Sequence, residues 1–112
     1  MNELVAEYRA LPVSSDHLPD SGPNDRKCKI LIALDAQAND PEVGQLLLDV
    51  LHDPREFDLA RVEAIQVVGL YIEDTNPFAA RLRAELLRIA SDLGEDEMLQ
   101  GWAQRYVSNI RE

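Results

Sequence analysis

The sequence predicts an all-α fold built from about six helices. Apolar residues recur at spacings of three and four along most of the chain, which is the period of amphipathic helices. An Asp or Asn followed by proline suits the start of a helix, and such a pair precedes two of these segments, at Asp40-Pro41 and Asn76-Pro77. The chain has 112 residues, of which 46% are hydrophobic. A single domain over residues 1–112 therefore has enough apolar surface for a core without disulfides or metal.

The N-terminal part of the chain is predicted to be a helix over residues 1–11 followed by a loop over residues 12–25. Asn2 is placed to cap that helix. Residues 12–25 contain three prolines, three serines, three aspartates and one glycine, a composition typical of a loop. The helical core is therefore expected over residues 26–112.

The segment over residues 26–38 is open to two interpretations. Its run from Ile30 to Leu34 is continuously apolar and has the length of a buried strand. No other segment offers a partner strand, whereas Asp25 is a suitable helix cap and the alanines that follow favour a helix. We therefore predict a mostly buried helix here, with a buried strand as the alternative.

A pair of helices over residues 57–93, folded back on each other, is predicted to form the centre of the fold. Its first helix is apolar over a wide arc that includes Ile65 and Tyr71, and a wide arc must contact neighbours on more than one side. Its second helix has a narrower stripe that includes Leu86, and Gly94 is expected to end it in the left-handed conformation. The sixth helix carries one apolar face, made up of Met98, Leu99, Trp102, Ala103, Tyr106, Val107 and Ile110.

Two parts of the core are related by a shift of 36 residues. This shift superposes Asp40-Pro41 on Asn76-Pro77 and Leu34 on Leu70. An apolar helix, a short Asx-Pro turn and an amphipathic helix, repeated at this period, resemble the HEAT/armadillo-like α-solenoid proteins over roughly residues 26–110. The resemblance implies antiparallel helix hairpins stacked as a short HEAT-like solenoid. An irregular six-helix bundle fits the same pattern.

No set of residues has the spacing of a catalytic, cofactor-binding or metal-binding site, and we predict neither enzyme activity nor a cofactor. Asp49, His52 and Asp53 have a spacing that suits a metal, but no further ligand accompanies them, and a solvated helix face is the simpler interpretation. Cys28 lies among three basic residues, whose charge is expected to lower the pKa of its thiol. No histidine is placed to make that thiol a nucleophile.

The charge of the chain favours a basic protein as its partner. Twenty-one acidic and eleven basic residues give a formal net charge of -10. Such a surface repels nucleic-acid phosphate and attracts basic proteins. No signal peptide or run of 18 apolar residues is present, and a single cysteine is typical of a reducing compartment. We therefore expect a cytoplasmic protein that binds neither nucleic acid nor membrane.

Five residues are predicted to contact this partner. Acidic residues with few basic neighbours occupy the exposed side of the helix after Pro41 and the turn before Pro77, and these positions share one edge if the hairpins stack. The predicted contact residues are Glu42, Gln45, Asp49, Glu73 and Asp74. A solvated edge that only maintains solubility is the alternative.

The function predicted from these features is protein binding. Small, acidic, helical proteins without catalytic motifs resemble in type the immunity proteins of bacterial toxin systems, some of which have HEAT-like folds. The resemblance implies that the partner is a toxin domain, that occlusion of its active site neutralises it, and that no small-molecule substrate is involved. A helical-repeat adaptor within a larger assembly is the alternative function.

Overall fold

The structure, a computed structural model, describes residues 2–11, 22–73, 75–92 and 94–110. All regular structure in these ranges is helical, so the predicted all-α fold with six α-helices is confirmed. The helices are α1 (Glu3–Ala10), α2 (Gly22–Ala33, continued by a 3₁₀ turn over Leu34–Gln37), α3 (Pro41–His52), α4 (Asp58–Tyr71), α5 (Ala79–Ser91) and α6 (Glu97–Ile110). No helix within the described ranges has the length and apolar character needed to cross a membrane.

The ambiguous segment forms α2, so the strand alternative is wrong. The helix begins at Gly22, before the predicted start at Arg26. Pro23 is tolerated in the first turn because the N–H group that proline lacks has no helical acceptor there. Asp25 lies within this turn and does not precede the helix, so its predicted role as the cap is wrong. Residues 12–21 of the predicted loop lie outside the described residues.

The helices pack in two layers. In one layer α4 lies between α2 and α6, and in the other α3 lies between α1 and α5. The dimensions of 39 × 33 × 16 Å fit a slab that is two helices thick. The predicted central position of the 58–71 helix is confirmed. The predicted pair α4 and α5 do contact each other, but less than each contacts its neighbours within its own layer.

The core fills the space between the two layers and is built mainly from aliphatic side chains. Ile65 and Leu86, predicted to be buried, are both fully buried. Tyr71 and Met98 were assigned to apolar helix faces by the periodicity, but both are exposed. Tyr71 is the last residue of α4 and Met98 belongs to the first turn of α6, where few neighbouring helices remain to cover a side chain.

The predicted repeat is confirmed in the turns and fails in one part of the helices. The carboxylate of Asp40 accepts a hydrogen bond from the Glu42 N–H at 2.9 Å, and the side-chain amide oxygen of Asn76 accepts one from the Phe78 N–H at 2.8 Å, which is the same bond 36 residues later. Leu34 and its counterpart at position 70 differ, since the first is buried and the second is 58% exposed. The 3₁₀ turn at the end of α2 rotates the side chains there, whereas α4 continues as an α-helix.

The helix ends confirm some of the predicted caps and correct others. Asn2 caps α1 by accepting hydrogen bonds from two N–H groups of the first turn. The side chain of Asn76 also accepts a hydrogen bond from the backbone N–H of Phe78, although α5 itself begins only at Ala79. Gly94 does not adopt the predicted left-handed conformation. Its N–H donates to the Asp92 carboxylate at 2.8 Å, so a side chain closes the turn after α5 and no special glycine conformation is needed.

Candidate protein-binding surface

Three of the predicted contact residues lie on one side of α3, and α1 packs against that side. Glu42 accepts a hydrogen bond from the main-chain N–H of Asn2 at 2.9 Å. Gln45 donates to Asp49 at 2.9 Å, and the same aspartate forms a 2.9 Å ion pair with Arg9. Because Asn2 caps α1 and Arg9 belongs to it, the N-terminal helix neutralises part of the predicted acidic stripe.

Two asparagine side chains hold the turns after α2 and α4 next to each other. Asn39 donates to the Tyr71 carbonyl at 3.1 Å and accepts the Glu73 N–H at 2.8 Å. Asn76, which is buried, donates to the Ala38 carbonyl at 3.0 Å. Each asparagine thereby satisfies backbone groups of the neighbouring turn. The two turns form one edge of the molecule, as the 36-residue repeat predicts, and Glu73 is exposed on it.

A hollow of about 410 Å³ lies on this edge, between the start of α1 and the start of α3. Three carboxylates line it, and no Lys or Arg among the described residues does so. The lining residues are Asn2, Glu3, Leu4, Gln37, Asp40 and Glu42. We call Glu3, Asp40, Glu42 and Glu73 the acidic edge. Asp74, the fifth predicted contact residue, lies outside the described residues.

Glu3 is a member of the acidic edge that was not among the predicted contact residues. In the sequence it appears only as an acidic residue in the first turn of a short helix, where it complements the helix dipole. Its place beside the start of α3 follows from the packing of α1 on α3, which no local pattern specifies. The one signal in the sequence for the position of Glu3 was Asn2, because its side chain caps α1 and thereby orients the first turn of that helix.

A second groove, of about 390 Å³, runs between α3 and α5. Its lining residues are Leu48, Asp49, His52, Arg81, Ala84 and Glu85. His52 Nδ1 lies 3.2 Å from the Glu85 carboxylate, which also pairs with Arg88 at 2.9 Å. Both carboxylates that line this groove pair with an arginine, Asp49 with Arg9 and Glu85 with Arg88, so the groove offers a basic partner less attraction than the acidic edge does.

A buried polar cluster that sequence reasoning did not identify fixes α1 and α2 to the turn before α4. Lys27 Nζ lies 2.7 Å from Glu56 Oε1, and the Tyr8 hydroxyl donates to Glu56 Oε2 at 3.0 Å. The three side chains are almost completely buried, and burial together with the Glu56 charge raises the pKa of Tyr8 far above its usual value. Because Glu56 accepts hydrogen bonds from both Tyr8 and Lys27, this buried ion pair fixes the position of the N-terminal helix.

A second buried cluster joins α4 to the turn between α5 and α6. The Arg61 guanidinium binds both carboxylate oxygens of Glu95, at 2.8 and 2.9 Å, and also donates to the Leu51 carbonyl at 2.8 Å. The bonds from Arg61 hold the pKa of Glu95 below its usual value. Arg88 reaches the same Leu51 carbonyl at 3.3 Å. These contacts orient the C-terminal end of α3 relative to α5 and therefore shape the groove between them.

The predicted lowering of the pKa of the Cys28 thiol is wrong. Burial, followed by the charge of Glu63, raises the pKa of the Cys28 thiol to about 11, whereas the neighbouring basic residues were expected to lower it. The charge of Lys27 still lowers this pKa, but by less than burial and the nearby carboxylates raise it, while Arg26 pairs with Glu7. A protonated, half-buried thiol is a poor nucleophile.

The described residues contain no group of three His, Cys, Asp or Glu side chains placed to hold a metal ion. Of the three residues whose spacing suits a metal, Asp49 pairs with Arg9 and Asp53 with Arg55, while His52 contacts a carboxylate of α5. Asp49 and His52 thereby link α3 to α1 and α5, whereas Asp53 pairs within its own turn.

Comparison of the chain with family models, with curated proteins and with solved structures found no match. The resemblance to HEAT/armadillo-like proteins therefore depends on the Asx-Pro turns, the 36-residue shift and the packing of alternate helices in two layers. It stays a prediction.

Proposed function

We propose that this protein is a binding module that neutralises a basic protein partner, and that the acidic edge is where the partner docks. The distribution of charge is the observation that carries this proposal. At least seven of the eleven basic side chains form ion pairs within the described residues. The excess carboxylates therefore determine the outer potential, and the hollow of the acidic edge has no Lys or Arg in its described lining.

The partner class that we propose is a toxin domain with a basic active site, such as a cationic nuclease, and the protein acts as its immunity protein in the cytoplasm. Attraction between an acidic surface and a basic one accelerates encounter and is screened over about 8 Å at physiological salt. The molecule measures 39 × 33 × 16 Å. A body of this size inhibits by covering the catalytic cleft.

Affinity capture with mass spectrometry identifies the partner, and co-expression then tests the function. We expect the captured protein to arrest growth alone and the arrest to be relieved by co-expression of this chain. A reading frame for a cationic domain next to the gene for this chain would support the same conclusion. If the captured partners form a stable assembly without any toxic member, the adaptor function replaces the immunity function.

Charge reversal tests the acidic edge itself. Glu73→Lys should slow association with the captured partner by up to about tenfold at low salt and reduce the salt dependence of the rate. Glu97→Lys is the matched control, because it changes the net charge equally and Glu97 is also exposed. Glu97 begins α6 just after Glu95, which binds Arg61 in the first turn of α4. Glu73 follows the last turn of α4, so Glu73 and Glu97 lie near opposite ends of that helix. Equal effects of the two substitutions, or no effect of either, would contradict docking at the acidic edge.

A further inference from the structure

Both carboxylates that line the groove between α3 and α5 are engaged by neighbouring side chains. Asp49 pairs with Arg9 through one carboxylate oxygen at 2.9 Å and accepts a hydrogen bond from a glutamine of its own helix through the other, also at 2.9 Å. Glu85 contacts His52 Nδ1 through one oxygen at 3.2 Å and pairs with Arg88 through the other at 2.9 Å. Because all four oxygens have a partner within the protein, the groove offers little to a cationic ligand.

The basic side chains of the same groove are not fully used within the described residues. Arg81 is exposed and forms no ion pair or hydrogen bond there, although Glu85 lies four residues further along α5, a spacing that suits such a pair. His52 and Arg88 occupy that carboxylate instead. The side chain of His52 is 74% exposed, and its Nε2 has no partner among the same residues. The permanent charge of Arg81 is therefore left without a counter-ion in the described part of the chain.

The rest of the groove lining is apolar, and its shape reflects the 36-residue repeat. The faces of α3 and α5 that line the groove occupy equivalent positions, so Leu48 corresponds to Ala84 and Asp49 to Glu85. Leu48 is half-buried and packs against the core, whereas its counterpart on α5 is an exposed alanine, whose short side chain contributes to the open space. The volume of about 390 Å³ falls within the range of about 300–1,000 Å³ that is typical of small-molecule sites.

We propose that the groove between α3 and α5 binds a small molecule that joins a carboxylate to an apolar body, with Arg81 as the residue that pairs with the carboxylate. The planar guanidinium can donate two parallel hydrogen bonds to a carboxylate, and Leu48 and Ala84 line the space that the apolar body would fill. A neutral apolar molecule would instead take water away from Arg81 without replacing its hydrogen bonds. A cation would find both carboxylates of the groove already paired.

The acidity of the whole chain opposes such a ligand only weakly. The formal net charge is -10, but exposed charges more than about 8 Å away are largely screened at physiological salt. The carboxylates that line the groove itself are compensated by arginines. The acidic edge is formed by the starts of α1 and α3 and by the turn after α4, so this inference goes beyond the proposed function and does not depend on it.

An NMR titration of the whole chain with octanoate tests this proposal, because octanoate carries a carboxylate on an aliphatic body. We expect the amide resonances of residues 45–52 and 81–88 to shift in a saturable way. Acetate has the carboxylate without the body, and octylammonium has the body with the opposite charge. At equal concentrations, each of these two compounds should therefore shift the same resonances much less than octanoate does.

Two pairs of substitutions on α5 locate the site. Arg81→Gln should weaken octanoate binding about fivefold, the loss expected for one partly exposed charge pair. Arg83→Gln removes the same charge from the same helix outside the groove lining and should leave the affinity unchanged. Ala84→Glu should abolish binding by placing a carboxylate in the groove, whereas Ala80→Glu makes the same change at another exposed alanine of α5 and should not. The amide spectrum of each variant verifies that it is folded.

Several outcomes would overturn the proposal. Shifts that do not saturate, or that centre on the exposed apolar side chains of α2, α4 and α6, would mean that octanoate covers apolar surface in general. Equal shifts with octylammonium, or an affinity that Arg81→Gln and Arg83→Gln change equally, would remove the role of Arg81. An Ala84→Glu variant that binds octanoate as well as the wild type does would place the ligand outside the groove.

Discussion

Glu56→Gln is the substitution that should damage the fold most for the smallest change in shape. The carboxylate accepts hydrogen bonds from Lys27 Nζ at 2.7 Å, from the Tyr8 hydroxyl at 3.0 Å and from the Phe57 N–H at 2.9 Å. The side chains of Lys27 and Glu56 are only 1% and 5% exposed. Glutamine preserves the volume and one acceptor oxygen but removes the negative charge, so the ammonium group is left buried without a counter-ion.

The expected cost follows from this burial. Removing one partner of a buried ion pair costs about 3–5 kcal/mol, because the remaining charge keeps its desolvation penalty and loses its compensation. The total free energy of unfolding of a small domain is about 5–15 kcal/mol, so the variant should lose a large part of its stability. At about 4–8 °C per kcal/mol for a domain near this size, the melting temperature should fall by more than about 10 °C.

Urea denaturation of four proteins measures this effect: the wild type, Glu56→Gln, Lys27→Met and the double variant. The double variant has no buried charge at this site and should be more stable than either single variant, since paired removal of a buried ion pair is often close to neutral. Two results would refute the reasoning. One is a Glu56→Gln variant that loses less than about 1 kcal/mol, and the other is a double variant whose loss equals the sum of the single losses.

Three further predictions concern packing and the thiol. Leu86→Ala should cost about 2–5 kcal/mol in urea denaturation, because the side chain is fully buried between the helix layers, and an unchanged midpoint would contradict its place in the core. Gly69→Ala should cost about 1–3 kcal/mol, because the added methyl collides with the Tyr106 ring, whereas Gly101→Ala meets no atom within 4 Å and should stabilise by about 0.5–1 kcal/mol. A disulfide reagent at pH 8 should modify Cys28 more slowly in the folded protein than in urea, with a rate that rises towards pH 11, and equal rates would contradict the raised pKa of the thiol.

The fold class was predictable because its signals are local. The spacing of apolar residues specifies helices, the Asp40 side chain before Pro41 specifies where α3 begins, and Asn76 before Pro77 marks the turn that precedes α5. The 36-residue shift between these turns even predicted that they lie side by side. The hydrogen bonds from Asn39 and Asn76 to the neighbouring turn confirm this, and they join residues 32 to 38 positions apart in the sequence.

The buried charges and the local potentials were not predictable, because they depend on partners distant in sequence. Lys27 pairs with Glu56, 29 residues away in the sequence, and Arg61 pairs with a carboxylate 34 residues away. From the sequence alone both cations would be taken for ordinary surface residues. The thiol of Cys28 shows the same limit. Its neighbours in the chain are basic, but its neighbours in space are acidic and apolar, so the shift of its pKa has the opposite sign from the prediction. The Arg9 contact that neutralises Asp49 likewise follows from the packing of α1.

The bidentate pair between Arg61 and Glu95 should make part of the stability depend on acid. Because Arg61 lowers the pKa of Glu95 in the folded chain, the stabilisation is fully present above the ordinary carboxyl value of about 4.3. It is lost as the pH falls through the lowered folded value. Glu95→Gln removes the titrating group and leaves the buried Arg61 without its counter-ion, at a cost of about 3 kcal/mol or more at pH 7.

Urea denaturation of both proteins between about pH 7 and pH 3 separates this pair from the other carboxylates. Glu7 and Asp53 also have lowered pKa values, so both proteins should lose stability in acid. Those losses cancel when the variant is subtracted from the wild type, and the remaining difference belongs to Glu95. We expect that difference to be constant above about pH 5 and to shrink steadily below it. A difference that stays constant down to pH 3 would mean that Arg61 does not favour the charged form of Glu95, and that the two side chains contribute through packing alone.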